Sequence, residues 1–229
     1  MSMLSKIFIV LILPLQVFSQ DASQSISELT AKMNRVTDYS ADVVIKSDIP
    51  LIKILAVKAT IYFKQKDKFR IISKGIAILP KQGFVDLSKL LSNMDGYSSM
   101  IAGYDTVSNI KAQVITIFPV NDTSDLILAK LWVDTDRDII LKSQITTRSS
   151  GTVAIEYSYK SQNEFGLPDS IVFIVDVKKF KIPKGVATDI NRTSSMDELK
   201  KPAKTGRIFI SLSNYKINKG ISDEIFIAK

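Results

Sequence analysis

Residues 55–64 read Leu55-Ala56-Val57-Lys58-Ala59-Thr60-Ile61-Tyr62-Phe63-Lys64. Leu55, Val57, Ala59, Ile61 and Phe63 share one parity, and Lys58, Thr60, Tyr62 and Lys64 share the other. Successive side chains on a strand point to opposite faces, so this alternation predicts a strand with one face in a core. Gln65-Lys66-Asp67 supplies a tight turn, and Lys68 to Lys74 returns with Phe69 and Ile71 inward. The unit is a hairpin, and the same period recurs along most of the chain.

Upstream, Tyr39, Ala41, Val43 and Ile45 alternate with Ser40, Asp42 and Lys46, and Asp48-Ile49-Pro50 breaks the run. Downstream, strand patterns cover Ile110 to Phe118, Leu126 to Val133, Ile139 to Thr147, Thr152 to Tyr159, Ser170 to Val177 and Arg207 to Ile217, with a short last one at Glu224 to Ile227. Asp134 to Asp138, Ser149-Ser150-Gly151 and Gly166-Leu167-Pro168 carry turn chemistry. About ten strands on short loops predict a mainly β (α+β) fold built on an antiparallel meander.

Two segments change period. Ser25 to Val36 places Ile26, Leu29, Met33 and Val36 at spacings of three and four, with Ser25 and Glu28 as a capping box. Phe84 to Met94 does the same with Phe84, Leu87, Leu90, Leu91 and Met94; Gly96 ends it, and Tyr97, Met100, Ile101 and Tyr104 follow in an irregular loop. Asn191 to Thr205 is polar, with Lys200, Lys201 and Lys204 around Pro202, and reads as an exposed loop. One long helix and one shorter one must therefore cover the apolar faces of about ten strands. Such a sheet flattens or curls; where it curls, its concave space is filled either by side chains or by a ligand. Periodicity alone favours side chains.

The chain has 229 residues, no His and no Cys, and a net charge of +8. Missing His and Cys remove His-based acid–base chemistry, His or Cys metal sites, disulfides and thiol nucleophiles. Lys6 precedes an apolar run from Ile7 to Phe18, and Val17-Phe18-Ser19 fits a cleavage site before Gln20. Residues 1–19 read as a secretory signal peptide and 20–229 as a single domain. A secreted chain without Cys fits a bacterial periplasm. Nucleic acid is then not a partner; the positive charge suits anionic headgroups, acidic proteins or plain solubility.

Catalytic patterns fail on geometry. Ser213-Asn214-Tyr215-Lys216 matches Ser-x-x-Lys, but positions three apart on a strand face opposite ways. Asp134-Thr135-Asp136-Arg137-Asp138 starts like a calcium loop, yet Ile139 and Ile145 stand where Gly and Glu are required. Asp223 and Glu224 are strand neighbours that diverge. No catalytic residue, metal ligand or cofactor site is expected, and the chain is not expected to be an enzyme.

A signal peptide, an amphipathic helix and a Lys-bearing hairpin in a long meander resemble the LolA-type periplasmic lipoprotein carriers. The matching pieces are Ile26–Val36, the hairpin Ala59-Thr60-Ile61-Tyr62-Phe63-Lys64 with Phe69, the strand end Leu131-Trp132-Val133-Asp134, and the Phe209–Lys229 stretch with Asn214, Asn218 and Phe226. The resemblance implies an incomplete β-barrel wrapped around lid helices, with an apolar cavity for acyl chains. That fold is shared with the outer-membrane receptor LolB and with stress-sensing RseB-like domains. In the carriers the hairpin reads Lys-Arg-Pro, and the Arg helps hold the lid shut; here Gln65 stands in its place. The Asp-Gly and Tyr-Asp-Pro signatures that usually follow are replaced by Lys74-Gly75-Ile76 and Leu79-Pro80-Lys81, so the lid mechanism does not carry over.

These readings combine into an expectation. The protein is a monomeric periplasmic carrier that shields the acyl chains of lipoproteins or lipids between an inner-membrane transporter and an outer-membrane receptor. Its alternative is a lipid- or lipoprotein-sensing module that binds another envelope protein. Leu55, Val57, Ile61, Phe63, Phe69 and Ile71 are the expected wall, and Phe84, Leu87, Leu90, Leu91 and Met94 the expected lid. Each buried methylene is worth about 0.8 kcal/mol, so a sixteen-carbon chain gains roughly 13 kcal/mol gross from such a shelter.

Overall fold

The computed structural model describes residues 21–49, 55–65, 68–73, 75, 87, 90–91, 94–121, 124–149, 151–176 and 205–227. The signal-peptide region, Phe84 and the polar run 191–204 lie outside them. Helix α1 (Ala22–Asn34) is followed by strands β1 (Asp38–Asp48), β2 (Val57–Lys64), β3 (Lys68–Ser73), β4 (Tyr97–Val107), β5 (Ile110–Pro119), β6 (Leu126–Asp134), β7 (Ile139–Thr147), β8 (Gly151–Ser158), β9 (Ser170–Asp176) and β10 (Thr205–Ile217).

All ten strands form one antiparallel sheet in the order β3-β2-β1-β10-β9-β8-β7-β6-β5-β4. From β4 to β10 it is a plain meander. The last strand then pairs with the first, placing Val43 opposite Leu212 and Ile45 opposite Ile210. The expected hairpin forms in the register the alternation requires, with Ile61 opposite Ile71 and Phe63 opposite Phe69. Among the described residues no strand joins β3 to β4, so the sheet is a curved half-barrel that stays open. On the β3 side, Arg70 Nη1 donates to the carbonyls of Ile225, at 2.7 Å, and Ile227, which brings the end of the chain alongside that edge.

Two expectations about strands are corrected. Tyr97 to Val107 is an eleven-residue strand rather than an irregular loop. Its outward positions carry Met100 and Tyr104, both exposed, which blurs the apolar–polar alternation. A bulge between Ile101 and Gly103, with Gly103 at φ +122°, adds a break in phase. Ser108 and Asn109 both take positive φ and close the two-residue turn into β5, as a type I′ hairpin demands. Glu224 to Ile227 is not a strand: Asp223–Phe226 is a 3₁₀ turn whose cap, Ser222, accepts from the Glu224 amide. The helix start also moves. Asp21 is the N-cap, accepting from the Ser23 amide, and Ser25 is buried inside the helix. Its hydroxyl donates to Gln113 Oε1 on β5 at 2.7 Å instead of capping.

The concave side holds two packed clusters. One joins β1, β2 and β8–β10 through Val43, Ile45, Ile61, Ile155, Phe173 and Ile208. The other packs Ile26 and Leu29 of α1, with Leu87, Leu90 and Leu91, onto Ile115, Ile117, Leu131 and Val133. A smaller group on the opposite face of β5–β7 contains Ala112, Trp132 and Leu141; Trp132 Nε1 donates to Asp105 at 2.9 Å, and the Lys142 ammonium sits 4.8 Å from the indole.

The stretch after β10 is stitched to the start of β1. Asn218, at φ 52°, accepts from the Thr37 amide at 2.8 Å and the Thr37 hydroxyl at 3.0 Å, and donates to the Arg35 carbonyl at 2.9 Å. The buried Asp38 carboxylate accepts from the Lys219 and Gly220 amides, both at 3.1 Å. Asn218→Ala removes three of these bonds and puts a β-carbon side chain without a local partner in the left-handed region. Urea denaturation should show a loss of about 2 kcal/mol with the m-value unchanged.

Candidate functional site

The two clusters adjoin at Tyr157, which packs against both. Between them lies a cavity of about 160 Å³. One flank comes from the helix-side cluster: Leu29, Met33, Leu87 and Ile140. The other comes from the hairpin-side cluster: Val36, Tyr39, Phe63, Phe69, Leu212 and Tyr215. Phe165 to Pro168, in the loop between β8 and β9, close the rim with Asp138, Tyr157 and Tyr159.

The strand register explains the aromatic flank. Tyr39 lies opposite Phe63, and Phe63 opposite Phe69, which makes one aromatic rung across three strands at the hairpin end of the sheet. Tyr39 and Phe63 stack with centroids 5.3 Å apart, and Tyr215 on β10 tilts against Tyr39 at 5.7 Å. Burial pushes the phenols of Tyr39, Tyr157, Tyr159 and Tyr215 up, so all four stay neutral at physiological pH. Asp138, at φ 49°, is the carboxylate among the lining residues.

The expected wall and lid are only partly this site. Phe63, Phe69 and Leu87 line the cavity. Ile61 and Ile71 lie in or against the hairpin-side cluster, where neighbours already cover them. Leu90 and Leu91 are buried with α1 in the other cluster. Val57 is half-buried at the far end of β2. Leu55 is not a wall residue: it precedes β2, no pleat turns it inward, and it is 89% exposed. Met94 opens a 3₁₀ turn, Met94–Gly96, and its side chain lies outside the described residues, as does all of Phe84. Leu29, Met33 and Val36 were legible only as a helix stripe, not as lining. Tyr39, Tyr157, Leu212 and Tyr215 were not singled out, although the aromatics gathered at one end of neighbouring strands were a usable signal.

Helix α1 is the roof, and polar groups fasten its two ends. At the C-terminal end, Gln65 Nε2 donates to the carbonyls of Asn34 at 2.9 Å and Val36 at 3.0 Å, while Asn218 takes that of Arg35. The last carbonyls of a helix lack intrahelical partners, so side-chain donors are welcome there. Gln65, standing where the carriers have Arg, thus reaches the end of the roof. The Lys32 ammonium donates to the Arg137 carbonyl. The Arg35–Glu164 pair at 3.3 Å is exposed and adds little. At the N-terminal end the Ser25–Gln113 bond is buried, yet Gln113 Nε2 has no partner among the described residues.

The hairpin that carries Gln65 is itself tied to the chain end. Lys64 Nζ donates to the Ile221 carbonyl at 2.9 Å and pairs with Asp223 at 2.6 Å; Lys68 pairs with the same carboxylate at 2.9 Å. Among the described residues there is no cluster of acidic side chains that could hold a metal ion. No helix among them is long and apolar enough to cross a membrane.

No family model and no curated protein matches the sequence. Solved structures do match the fold. A LolA superfamily protein from Nitrosomonas europaea superposes with a TM-score of 0.58 at 11% identity, over 92% of this chain and 99% of that one. A DUF1329 family protein from Desulfovibrio piger gives 0.57 at 14%, over 91% and 98%. A domain assigned to outer membrane lipoprotein sorting, from Vibrio parahaemolyticus, gives 0.58 at 8%, over 90% and 97%. The chain therefore has a LolA-like fold, as the sequence resemblance implied.

Two measurements check the fastenings. Gln65→Ala should raise hydrogen–deuterium exchange at residues 33–37 while costing only about 1 kcal/mol of global stability. The bonds from Lys64 and Lys68 hold the Asp223 carboxyl at about 2, down from 3.8. Its pairing is complete above pH 3.8 and is lost as the pH falls through about 2. Carboxyl NMR should place that midpoint, and Lys64→Ala with Lys68→Ala should return it towards the ordinary value.

Proposed function

We propose that this protein binds acyl chains of lipoproteins or lipids in the cavity under α1 and carries them through the bacterial periplasm towards the outer membrane. The observation that carries this reading is the unfilled apolar gap between two otherwise packed clusters. The LolA-like fold supports it, as does the assignment of one structural neighbour to outer membrane lipoprotein sorting. The role is binding and delivery rather than catalysis, and it needs no reacting side chain.

Magnitudes set how such a carrier works. A cavity of about 150 Å³ lined by aliphatic and aromatic groups takes a molecule the size of benzene. The 160 Å³ here therefore receives the end of a chain. About six methylenes contribute roughly 5 kcal/mol, well short of the roughly 13 kcal/mol available to a sixteen-carbon chain. Full loading requires α1 to move outward. The roof is held at its ends by neutral hydrogen bonds, each worth about 1 kcal/mol net because water replaces them on opening, and by the charge-assisted bond from Lys32. A ligand that gains more from the enlarged cavity than those bonds supply shifts the roof to its open position. Release then needs an acceptor with a deeper apolar site, an outer-membrane receptor or the membrane itself.

Native mass spectrometry of gently purified protein tests the proposal. Co-purified lipid or lipoprotein is expected, released by mild acid or organic solvent. Met33→Trp, which fills the cavity from the half-buried face of α1, should abolish the adduct with an unchanged circular dichroism spectrum. A ligand-free wild-type chain that also fails to bind added acyl lipid would end the carrier reading.

A further inference from the structure

Four tyrosines line the cavity, and three of their hydroxyls are engaged with the protein. Tyr157 shares a hydrogen bond with the Ser143 hydroxyl at 3.1 Å. Tyr159 donates to the Ile140 carbonyl at 2.8 Å, and Tyr215 to the Pro168 carbonyl at 2.6 Å. Tyr39 is different. It is only 5% exposed, yet among the described residues no group hydrogen-bonds its hydroxyl; burial is the sole influence on its phenol. Its ring is fixed by stacking on Phe63 and by Tyr215, so the hydroxyl is held in place rather than left to search. The hydroxyl is not among the fully enclosed unpartnered atoms, so it keeps access, and Tyr39 lines the cavity. In ligand sites a few placed polar groups on an apolar wall set the orientation of what binds.

We propose that Tyr39 is the polar recognition point of this cavity, donating its hydroxyl proton to the carbonyl oxygen of a neutral acyl group, an ester or amide, whose hydrocarbon lies against Phe63, Leu212 and Leu29. This rests on the acyl-binding reading above and adds to it the group that recognises the acyl carbonyl. A free carboxylate also accepts hydrogen bonds, but Asp138 on the same lining disfavours a second negative charge. The nearby basic groups do not offset it: Lys32 is turned to the Arg137 carbonyl, and Arg137 pairs with Asp134 at 2.6 Å. The phenol remains a donor throughout the physiological range because burial keeps it protonated.

The test is displacement of N-phenyl-1-naphthylamine from the full chain by methyl dodecanoate, dodecanoate and dodecane, in wild type and Tyr39→Phe. Wild type should bind the ester more tightly than the alkane. Tyr39→Phe should weaken the ester by about fivefold, the worth of one neutral hydrogen bond, and leave the alkane unchanged. The variant keeps the ring against Phe63 and removes an unpartnered hydroxyl, so its melting temperature should hold or rise, which separates lost recognition from lost fold. Equal weakening of ester and alkane, or no weakening of either, overturns the proposal. Dodecanoate outcompeting the ester in wild type overturns the neutral-acyl assignment. Dodecane binding without any preference for the ester sinks this inference alone, whereas failure of all three ligands to displace the dye from wild type removes the acyl-binding reading beneath it.

Discussion

One mismatch governs this structure. Ten strands curl into a half-barrel with an apolar concave face, and a thirteen-residue helix, with Leu87, Leu90 and Leu91, covers it from inside. The helix-side cluster shows what happens where cover is adequate: Ile115, Ile117 and Leu131 are fully buried under α1. The hairpin side closes by folding β1, β2 and β8–β10 around one another. The two solutions adjoin at Tyr157 without filling all the space there, and the space left is the cavity.

The wall and the roof are built differently. Each wall strand is held along its length by the ladder of the sheet, and the first and last strands pair with each other. The roof has no ladder. It rests on an apolar stripe and is fixed at its ends by Ser25–Gln113, by Gln65 and Asn218 on its last carbonyls, and by Lys32. These bonds span long sequence separations, and most reach solvent when broken, so opening one end leaves the ladder intact. Gln113 Nε2, without a partner among the described residues, weakens the buried end further, because burying an unsatisfied amide costs about 1–3 kcal/mol. The element best placed to move is therefore the one that covers the gap.

Much of the wall was legible in the sequence. From Val57 to Phe63 the alternation is clean, because one face of β2 meets the core and the other carries Lys58, Thr60 and Tyr62. β4 hid because an edge strand with Met100 and Tyr104 outward and a bulge at Gly103 has no clean period. The count of ten strands agreed only because that missed strand was balanced by a terminal one that is in fact a 3₁₀ turn. Ser25 illustrates the limit of local rules: its spacing to Glu28 fits a capping box, but its partner is Gln113, which only tertiary folding brings near. The cavity lining lies still further out of reach. Phe63 and Phe69 follow from parity, whereas Phe165 to Pro168 enter from a loop whose place is set by the curl of the whole sheet.

Gln65 shows why a departure from a family pattern is informative rather than merely negative. The carriers' Arg offers a charged fork; Gln65 offers one amide, and both of its hydrogen bonds here go to helix-end carbonyls. Neutral donors to carbonyls are weaker than charge-assisted ones by about a factor of two. The contact to the helix end is thus made by neutral bonds. Under the proposed function, a cavity whose closed form admits only the tip of an acyl chain would have to open in order to load, and a weaker latch would lower the affinity a cargo needs to open it. The same weakness would let the roof reopen at an acceptor, so that loading and unloading would draw on one small difference in free energy rather than on a strongly held closed state.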